Sequence, residues 1–360
     1  MTLDLLAPHG WALVAGVAIA VAVGLAAARW IGPRGFMDMP HGRKGHDEPT
    51  PATAGIALMA TLAVGYLFGF KRLDLQPEHW LGLIALAVVG VLDDKYGLKA
   101  RHKAIAGLLV AALIAAPGAS QIVEAQPHLL LFGLVPLPPV WPLAFLLLVL
   151  LYWFVPQAMN LIDGANGLAL GYGLMILGVL ALAGRSLSFC AGTLFGLLLL
   201  NWPRAKHFLG DAGSLVLGLL LALEVKQSVG LLNPDLILWI FAYPILDVIQ
   251  VVAIRLLNGR RLGVGDRNHL HHQWMDRFPN RRQLVVPGLW LQAGLCASAV
   301  VAEGWGWTFP VIGLSLLVGQ VLVFVMQSLV APAEVVEFRA VAVDEEDGGH
   351  TNPGGGFDAA

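Results

Sequence analysis

Charge is scarce in this 360-residue sequence: Asp, Glu, Lys and Arg make up 13% of it, against about 25% in ordinary soluble domains. With 57% hydrophobic residues and a mean hydropathy of +0.73, that shortage argues against a soluble enzyme and describes a chain that lives in a bilayer. A net charge of -2 leaves no general basic surface for nucleic acid. Cysteine is nearly absent. Cys190 and Cys296 sit in separate apolar stretches with no C-x-x-C and no Cys/His cluster, which argues against a disulfide framework or a thiolate metal site. They read as small buried hydrophobes. The leading MTLDLLAPHG has no Lys or Arg, and Asp4 has the wrong sign for the n-region of a cleaved signal. The run from Trp11 to Trp30, about 30 Å long as a helix, is therefore read as a retained first span.

What the chain does have is apolar runs. They recur at 11–30, 53–70, 79–92, 104–116, 141–159, 168–183, 188–202, 213–225, 235–254, 285–302 and 308–330. The expected fold is all-α, a polytopic membrane bundle of about 10–11 transmembrane helices. With connections assigned alternately to two sides, only Lys71, Arg72, Arg185 and Lys226 fall on one side and the other 18 of the 22 basic residues on the opposite side. The positive-inside rule makes the basic side cytoplasmic. Residues 1–332 form one membrane domain, and the acidic, Gly-rich 333–360 is expected to be a disordered cytoplasmic tail.

Five polar clusters fall on that cytoplasmic side: "HGRKGHDEPTP" (41–51), "DDKYGLKARHK" (93–103), "NLIDGANG" (160–167), "HFLGDAGS" (207–214) and "GDRNHLHHQ" (265–273). Gathered at one face of a bundle, they outline one cleft. Asp93 and Asp94 follow an apolar segment, and carboxylates at a helix C-terminus oppose the macrodipole and invite a cation. A solvated helix end is the plain alternative. Asp211, just before an apolar helix, reads as an N-cap or as a Mg²⁺ ligand. His269, His271 and His272 lack the H-E-x-x-H spacing of a zinc site, and beside Arg267 they suit an anionic ligand such as a diphosphate. The plain alternative there is a solvated basic loop. Asp163 and Asn166 lie in a Gly-rich turn between two spans. Asp247 lies inside an apolar span, where a carboxylate costs about 2.5–3.5 kcal/mol and must face a polar interior. Proton carrier, supporting partner and structural pairing all remain open for it.

Taken in order, these motifs resemble the polyprenyl-phosphate N-acetylhexosamine-1-phosphate transferases, with phospho-MurNAc-pentapeptide transferase as a more distant relative. "DDKYGLKARHK" is similar to that family's D-D-x-x-x-L-x-x-x-x-K element through Asp93, Asp94, Leu98 and Lys103. "NLIDGANGLA" matches N-x-x-D-G-x-(D/N)-G-L-A, "FLGDAGS" matches F-x-G-D-x-G-S, and "DRNHLHH" matches the histidine loop. Gln157 stands where the family often has Asn, and Ala54-Gly55 where it often has Gly-Gly.

The resemblance implies transfer of a sugar 1-phosphate from a UDP-N-acetylhexosamine to polyprenyl phosphate, releasing UMP and starting a cell-surface glycan. It implies Mg²⁺, with Mn²⁺ as an alternative, held by Asp211 and then Asn160. Asp93 or Asp94 would deprotonate or orient the lipid phosphate, and a covalent route through Asp94 competes with direct attack. Lys103, Arg267, His269, His271 and His272 would hold substrate phosphates, and Asp163 and Asn166 would hold the nucleotide or shape the cleft. Arg43, Lys44, His46 and Asp247 form a second tier. The implied location is the bacterial inner membrane, with the active site cytoplasmic and no nucleic-acid partner; a homodimer is compatible with this. The sugar stays open between GlcNAc, FucNAc and QuiNAc. A transporter is the rival reading, but transporter sites usually sit near the bilayer midplane. A CDP-alcohol phosphotransferase would need a D-G-x-x-A-R element that "DGANG" does not supply.

Overall fold

The computed structural model describes residues 7–40, 48–69, 75–125, 129–131, 135–137, 140–185, 187–229, 234–260, 267–302 and 307–330. Each apolar run becomes helix. The first eight are α1 (Ala7–Trp30), α2 (Ala54–Leu67), α3 (Pro77–Tyr96), α4 (Ala100–Ala125), α5 (Trp141–Ile162), α6 (Leu168–Leu182), α7 (Ser188–Asn201) and α8 (Gly210–Val229). They are followed by α9 (Pro234–Ile240), α10 (Ala242–Leu257), α11 (Leu270–Arg277), α12 (Arg282–Ala297) and α13 (Thr308–Val330). Two small antiparallel ladders, Met37–Asp38 with Thr50–Pro51 and Leu129–Leu131 with Val135–Leu137, depart from the all-α expectation without changing the class. Cys190 and Cys296 are buried and free, as expected.

Among the described residues, five segments are long and apolar enough to cross a bilayer: Gly10–Trp30, Ala100–Glu124, Trp141–Ile162, Gln283–Val301 and Thr308–Ser328. The protein is thus a multi-pass helical membrane protein. Helices α2, α6 and α7, at 14 to 15 residues, are shorter than the ~20 that a perpendicular span needs. Helices α3 and α8 have 20 residues each, but their ends carry the charged residues of the site.

Two local expectations fail. The run 235–254 is two helices, α9 and α10, broken at Phe241. Pro244 has no N–H to return to the Ile240 carbonyl, and the Tyr172 hydroxyl donates to that carbonyl instead, at 2.7 Å. The histidine segment is not an irregular loop either: α11 starts there, with His269 as its extended N-cap residue.

Helix α8 is the central post. Val216, Leu217, Leu219, Leu220 and Leu221 are each 0% exposed, so the middle of this helix is apolar all round because every face meets protein. Helices α2, α3, α5 and α6 pack around it. The α3 contact is backbone to backbone: a Cβ on Gly90 would lie 2.2 Å from the Cα of Ala212. Gly90→Ala is therefore expected to destabilise the protein by about 1–3 kcal/mol, the usual cost of overpacking. Gly178→Ala on α6, where a new Cβ meets nothing within 4 Å, should leave stability intact or raise it slightly, because alanine is the better helix former. Thermal unfolding of the two detergent-solubilised variants compares them directly.

Candidate active site

The site begins where α3 stops. Gly97 takes a left-handed φ of 66° and its N–H closes on the Asp93 carbonyl at 2.8 Å, which ends the helix. The Asp93 side chain reaches over this turn, and its Oδ1 accepts the Leu98 N–H at 2.5 Å. Asp94 points the other way, to α8. Its Oδ1 accepts the Asp211 N–H at 2.8 Å and its Oδ2 the Ala212 N–H at 3.1 Å. The free amides at the start of α8 are thus capped by a carboxylate from another helix. Asp211, for which the sequence allowed an N-cap role, instead lies within the first turn of α8. Its own side chain is left to face the cleft.

There, Asp211 Oδ1 accepts a hydrogen bond from Asn160 Nδ2 at 2.9 Å, and Oδ2 is ion-paired with Lys103 Nζ. Lys103 Nζ also lies 2.5 Å from Asp93 Oδ2. The Lys103 ammonium thus bridges two carboxylates. The Trp153 indole N–H, bonded to the Ala104 carbonyl at 2.9 Å, fixes the first turn of α4 that carries Lys103. Ser214, not singled out from the sequence, takes a second hydrogen bond from Asn160 Nδ2 at 2.9 Å and donates to the Gly210 carbonyl at 3.0 Å. Its signal was its place one turn after Asp211, on the same helix face.

The "DGANG" turn makes a second wall. Asp163 ends α5, and burial, followed by the nearby Asp211 and Asp94, raises its carboxyl well above the usual range. Asn166 Nδ2 donates to the Pro203 carbonyl at 3.3 Å, and the Gly167 N–H donates to Asn201 Oδ1 at 2.5 Å. Both anchor the turn to the 201–208 connection. Asn201 is a further supporting residue that sequence reasoning missed; its amide N–H also donates to the His207 carbonyl at 2.8 Å. A Cβ on Gly164 would lie 2.4 Å from His271 Nε2 and 3.2 Å from His272 Nε2, so the turn and the histidines touch.

The rings of His271 and His272 are 4.2 Å apart, and those of His269 and His271 are 5.6 Å apart. His271 is fully buried, and neither of its ring nitrogens has a protein partner among the described residues. Burial, then His272, His269 and Arg267, hold His271 well below the ordinary imidazole range. Burial, then Arg267, hold His272 at about 4. These two rings are neutral at pH 7, and burial is why they add no positive charge to the cleft. Arg267 pairs with Asp276 across α11 at 2.8 Å. Asp247 lies under this helix, its Oδ2 2.6 Å from His269 Nδ1. Arg43, Lys44 and His46 lie outside the described residues.

The structure brings together Asp93, Asp94, Lys103, Asn160 and Asp211, with the histidines joined to them through the 160–167 turn. Asp93, Asp94 and Asp211 sit at helix ends, unlike the midplane sites of transporters. Asp93 and Asp211 already close on a cation, the Lys103 ammonium, with hard oxygen donors. Among the described residues no three His, Cys, Asp or Glu form a metal cage. One or two carboxylates completed by substrate phosphates are the donor set that Mg²⁺ takes, so these residues fit that ion.

A helical membrane protein with three aspartates, a lysine and an amide at one bundle end suits a phosphate-bearing substrate at a bilayer surface. Residues 78–227 match the profile of the family described as "Glycosyl transferase family 4". A "probable undecaprenyl-phosphate N-acetylglucosaminyl 1-phosphate transferase" of Bacillus subtilis (strain 168) is 33% identical over 309 residues, covering 81% of this chain and 83% of that protein. The undecaprenyl-phosphate alpha-N-acetylglucosaminyl 1-phosphate transferase of Yersinia pestis is 30% identical, covering 75% and 77%. The decaprenyl-phosphate N-acetylglucosaminephosphotransferase of Mycobacterium tuberculosis (strain ATCC 25618 / H37Rv) is 27% identical, covering 71% and 73%. The chain belongs to glycosyl transferase family 4 and, within it, to the polyprenyl-phosphate N-acetylhexosamine-1-phosphate transferases.

The buried histidines set a pH limit on the fold. Burial also holds His207 at about 4, against a usual value of 6.5. Below pH 6.5 the unfolded chain takes up protons that folded His207, His271 and His272 refuse, so their contribution to stability is lost as pH falls from about 6.5 towards 4. The raised Asp163 carboxyl acts in the opposite sense over the same range. Relative to wild type, His207→Gln and His272→Gln should therefore each gain unfolding temperature as pH falls.

Proposed function

We propose that this protein transfers N-acetylglucosamine 1-phosphate from UDP-N-acetylglucosamine to polyprenyl phosphate, giving the polyprenyl-diphosphate sugar and UMP. The observation that carries this reading is the convergence of Asp93, Lys103, Asn160 and Asp211, contributed by four helices, at one end of a membrane bundle. The names of the relatives favour undecaprenyl or decaprenyl phosphate as acceptor and N-acetylglucosamine as the sugar. The basic residues, 18 of 22 on one side when the apolar runs alternate across the membrane, support a site on the cytoplasmic face of the inner membrane, where nucleotide sugars are made. The acceptor enters sideways from the bilayer. The product is the first lipid-linked intermediate of a surface glycan.

A phosphate oxygen of the acceptor attacks the β-phosphorus of the sugar nucleotide, and the bond to the α-phosphate breaks as UMP leaves. Such a transfer depends on positioning and charge neutralisation more than on covalent chemistry from the protein. Asp93 orients the acceptor phosphate, and Lys103 exchanges its carboxylate partners for phosphate oxygens when substrate arrives. Asp211 with Asn160 would hold a divalent cation, Mg²⁺ or Mn²⁺, which supplies neutralising charge on the diphosphate. Asp163 and His271 line the sugar-nucleotide side of the cleft. The Asp94 carboxylate already accepts two backbone N–H groups, one on each oxygen, which supports direct attack over a phospho-aspartate intermediate. The site residues named here all come from one chain, so no partner copy enters this reading.

Purified protein in lipid, given undecaprenyl phosphate, Mg²⁺ and a panel of UDP-sugars, should release UMP fastest with UDP-N-acetylglucosamine. Asp211→Asn should lower the rate about 100- to 1,000-fold while unfolding near the wild-type temperature. EDTA should abolish turnover, and added Mg²⁺ or Mn²⁺ should restore it. No UMP from any UDP-sugar would sink the reading; normal turnover by the Asp211 variant or in EDTA would sink the cation assignment.

A further inference from the structure

Asp247 is 0% exposed within α10, and a carboxylate there needs donors on both oxygens. It has them. Oδ1 accepts the Leu270 N–H at 2.7 Å and Oδ2 lies 2.6 Å from His269 Nδ1. Three residues further along α10, Gln250, also 0% exposed, donates from Nε2 to the Asn268 carbonyl at 2.8 Å. One face of α10 thus holds 268, 269 and 270, the residues that lead into α11. An ionised carboxylate only accepts hydrogen bonds, so the nitrogen facing Oδ2 must carry a proton. That leaves Nε2 as the one His269 nitrogen able to meet a ligand. The His269 ring lies nearly parallel to His271, at an interplanar angle of 21°, and His271 abuts the Gly164 turn that leads back to Asn160.

We propose that Asp247 is a positioning residue for the transfer: it fixes His269 with its proton on Nδ1 and so assigns Nε2 to a substrate phosphate oxygen. This deepens the transferase reading and rests on it. In either protonation state of the ring, the Nδ1 proton stays with Asp247 and only Nε2 changes. Asp247→Asn makes the idea testable because it preserves size and burial. Its amide oxygen is needed by the Leu270 N–H, so its NH₂ is turned on Nδ1. The ring must then move its proton to Nε2.

The test has a spectroscopic arm and a kinetic arm. In the ¹⁵N-histidine spectrum of the full-length protein, with His269→Gln used to identify the signals, wild type should show a protonated Nδ1. Asp247→Asn should show the proton on Nε2. In turnover, Asp247→Asn should lower kcat about 100-fold, the scale on which a misplaced site group costs rate, with a smaller change in KM for the UDP-sugar. Asp247→Glu should recover part of the loss. The double variant Asp247→Asn/His269→Gln should be no slower than His269→Gln alone, because Asp247 acts through that ring. A further fall in the double variant overturns the proposal. So does an unprotonated Nδ1 in wild type, which holds even if the Asn variant does not fold. The spectra need no substrate, so an enzyme inactive on every UDP-sugar defeats the transferase reading separately from the tautomer result.

Discussion

One carboxylate ties the site to the fold. Asp94, at the end of α3, supplies both acceptors for the first amides of α8, 117 and 118 residues away in sequence. The positive end of the α8 dipole favours a negative charge there, and the pairing fixes the rotation of α8 about its own axis. From that rotation follow the direction of Asp211, the approach of Asn160 and the placing of Ser214. The backbone contact at Gly90 holds the same two helices from below, so the acid and the glycine act as one clamp.

The electrostatics are arranged around that clamp. Two carboxylates, Asp93 and Asp211, share one lysine, and Asn160 adds a neutral donor. The histidine wall adds little charge, because burial keeps His271 and His272 neutral at pH 7. The cleft thus separates its tasks: a charged corner where α3, α4, α5 and α8 meet, and a neutral hydrogen-bonding wall on α11. An incoming diphosphate brings the negative charge that would release Lys103 from its carboxylates.

Much of this was legible in the sequence, for physical reasons. Apolar runs can only be helices in a bilayer, so the bundle followed from hydropathy alone. Asp93, Asp94, Asn160 and Asp211 stood out because polar groups beside such runs are costly without a purpose. Their partners were not legible. Nothing local says that Asp94 caps a distant helix, or that Lys103 bridges two acids one of which is 108 residues away. The break at Phe241 had a local sign in Pro244, but a proline in the first turn of a helix is equally common within a continuous span's flank. Helix α11 escaped notice because "NHLHHQW" has weak intrinsic preference, and its start is held by Asp247 and Gln250 from α10.

The burial of α8 from Ala212 to Val225 reaches beyond catalysis. Membranes differ in thickness, and helices that face lipid answer by tilting or by distorting the bilayer around them. In this protein α1, α4 and α13 carry much of that exposure, with Trp11 and Trp30 on the first, Ile105 and Leu109 on the second and Phe309 and Met326 on the third. From Ala212 to Val225, helix α8 presents only protein to protein. A thicker or thinner bilayer therefore works first on the outer helices, while the depth of Asp211 is set by packing that lipid does not touch.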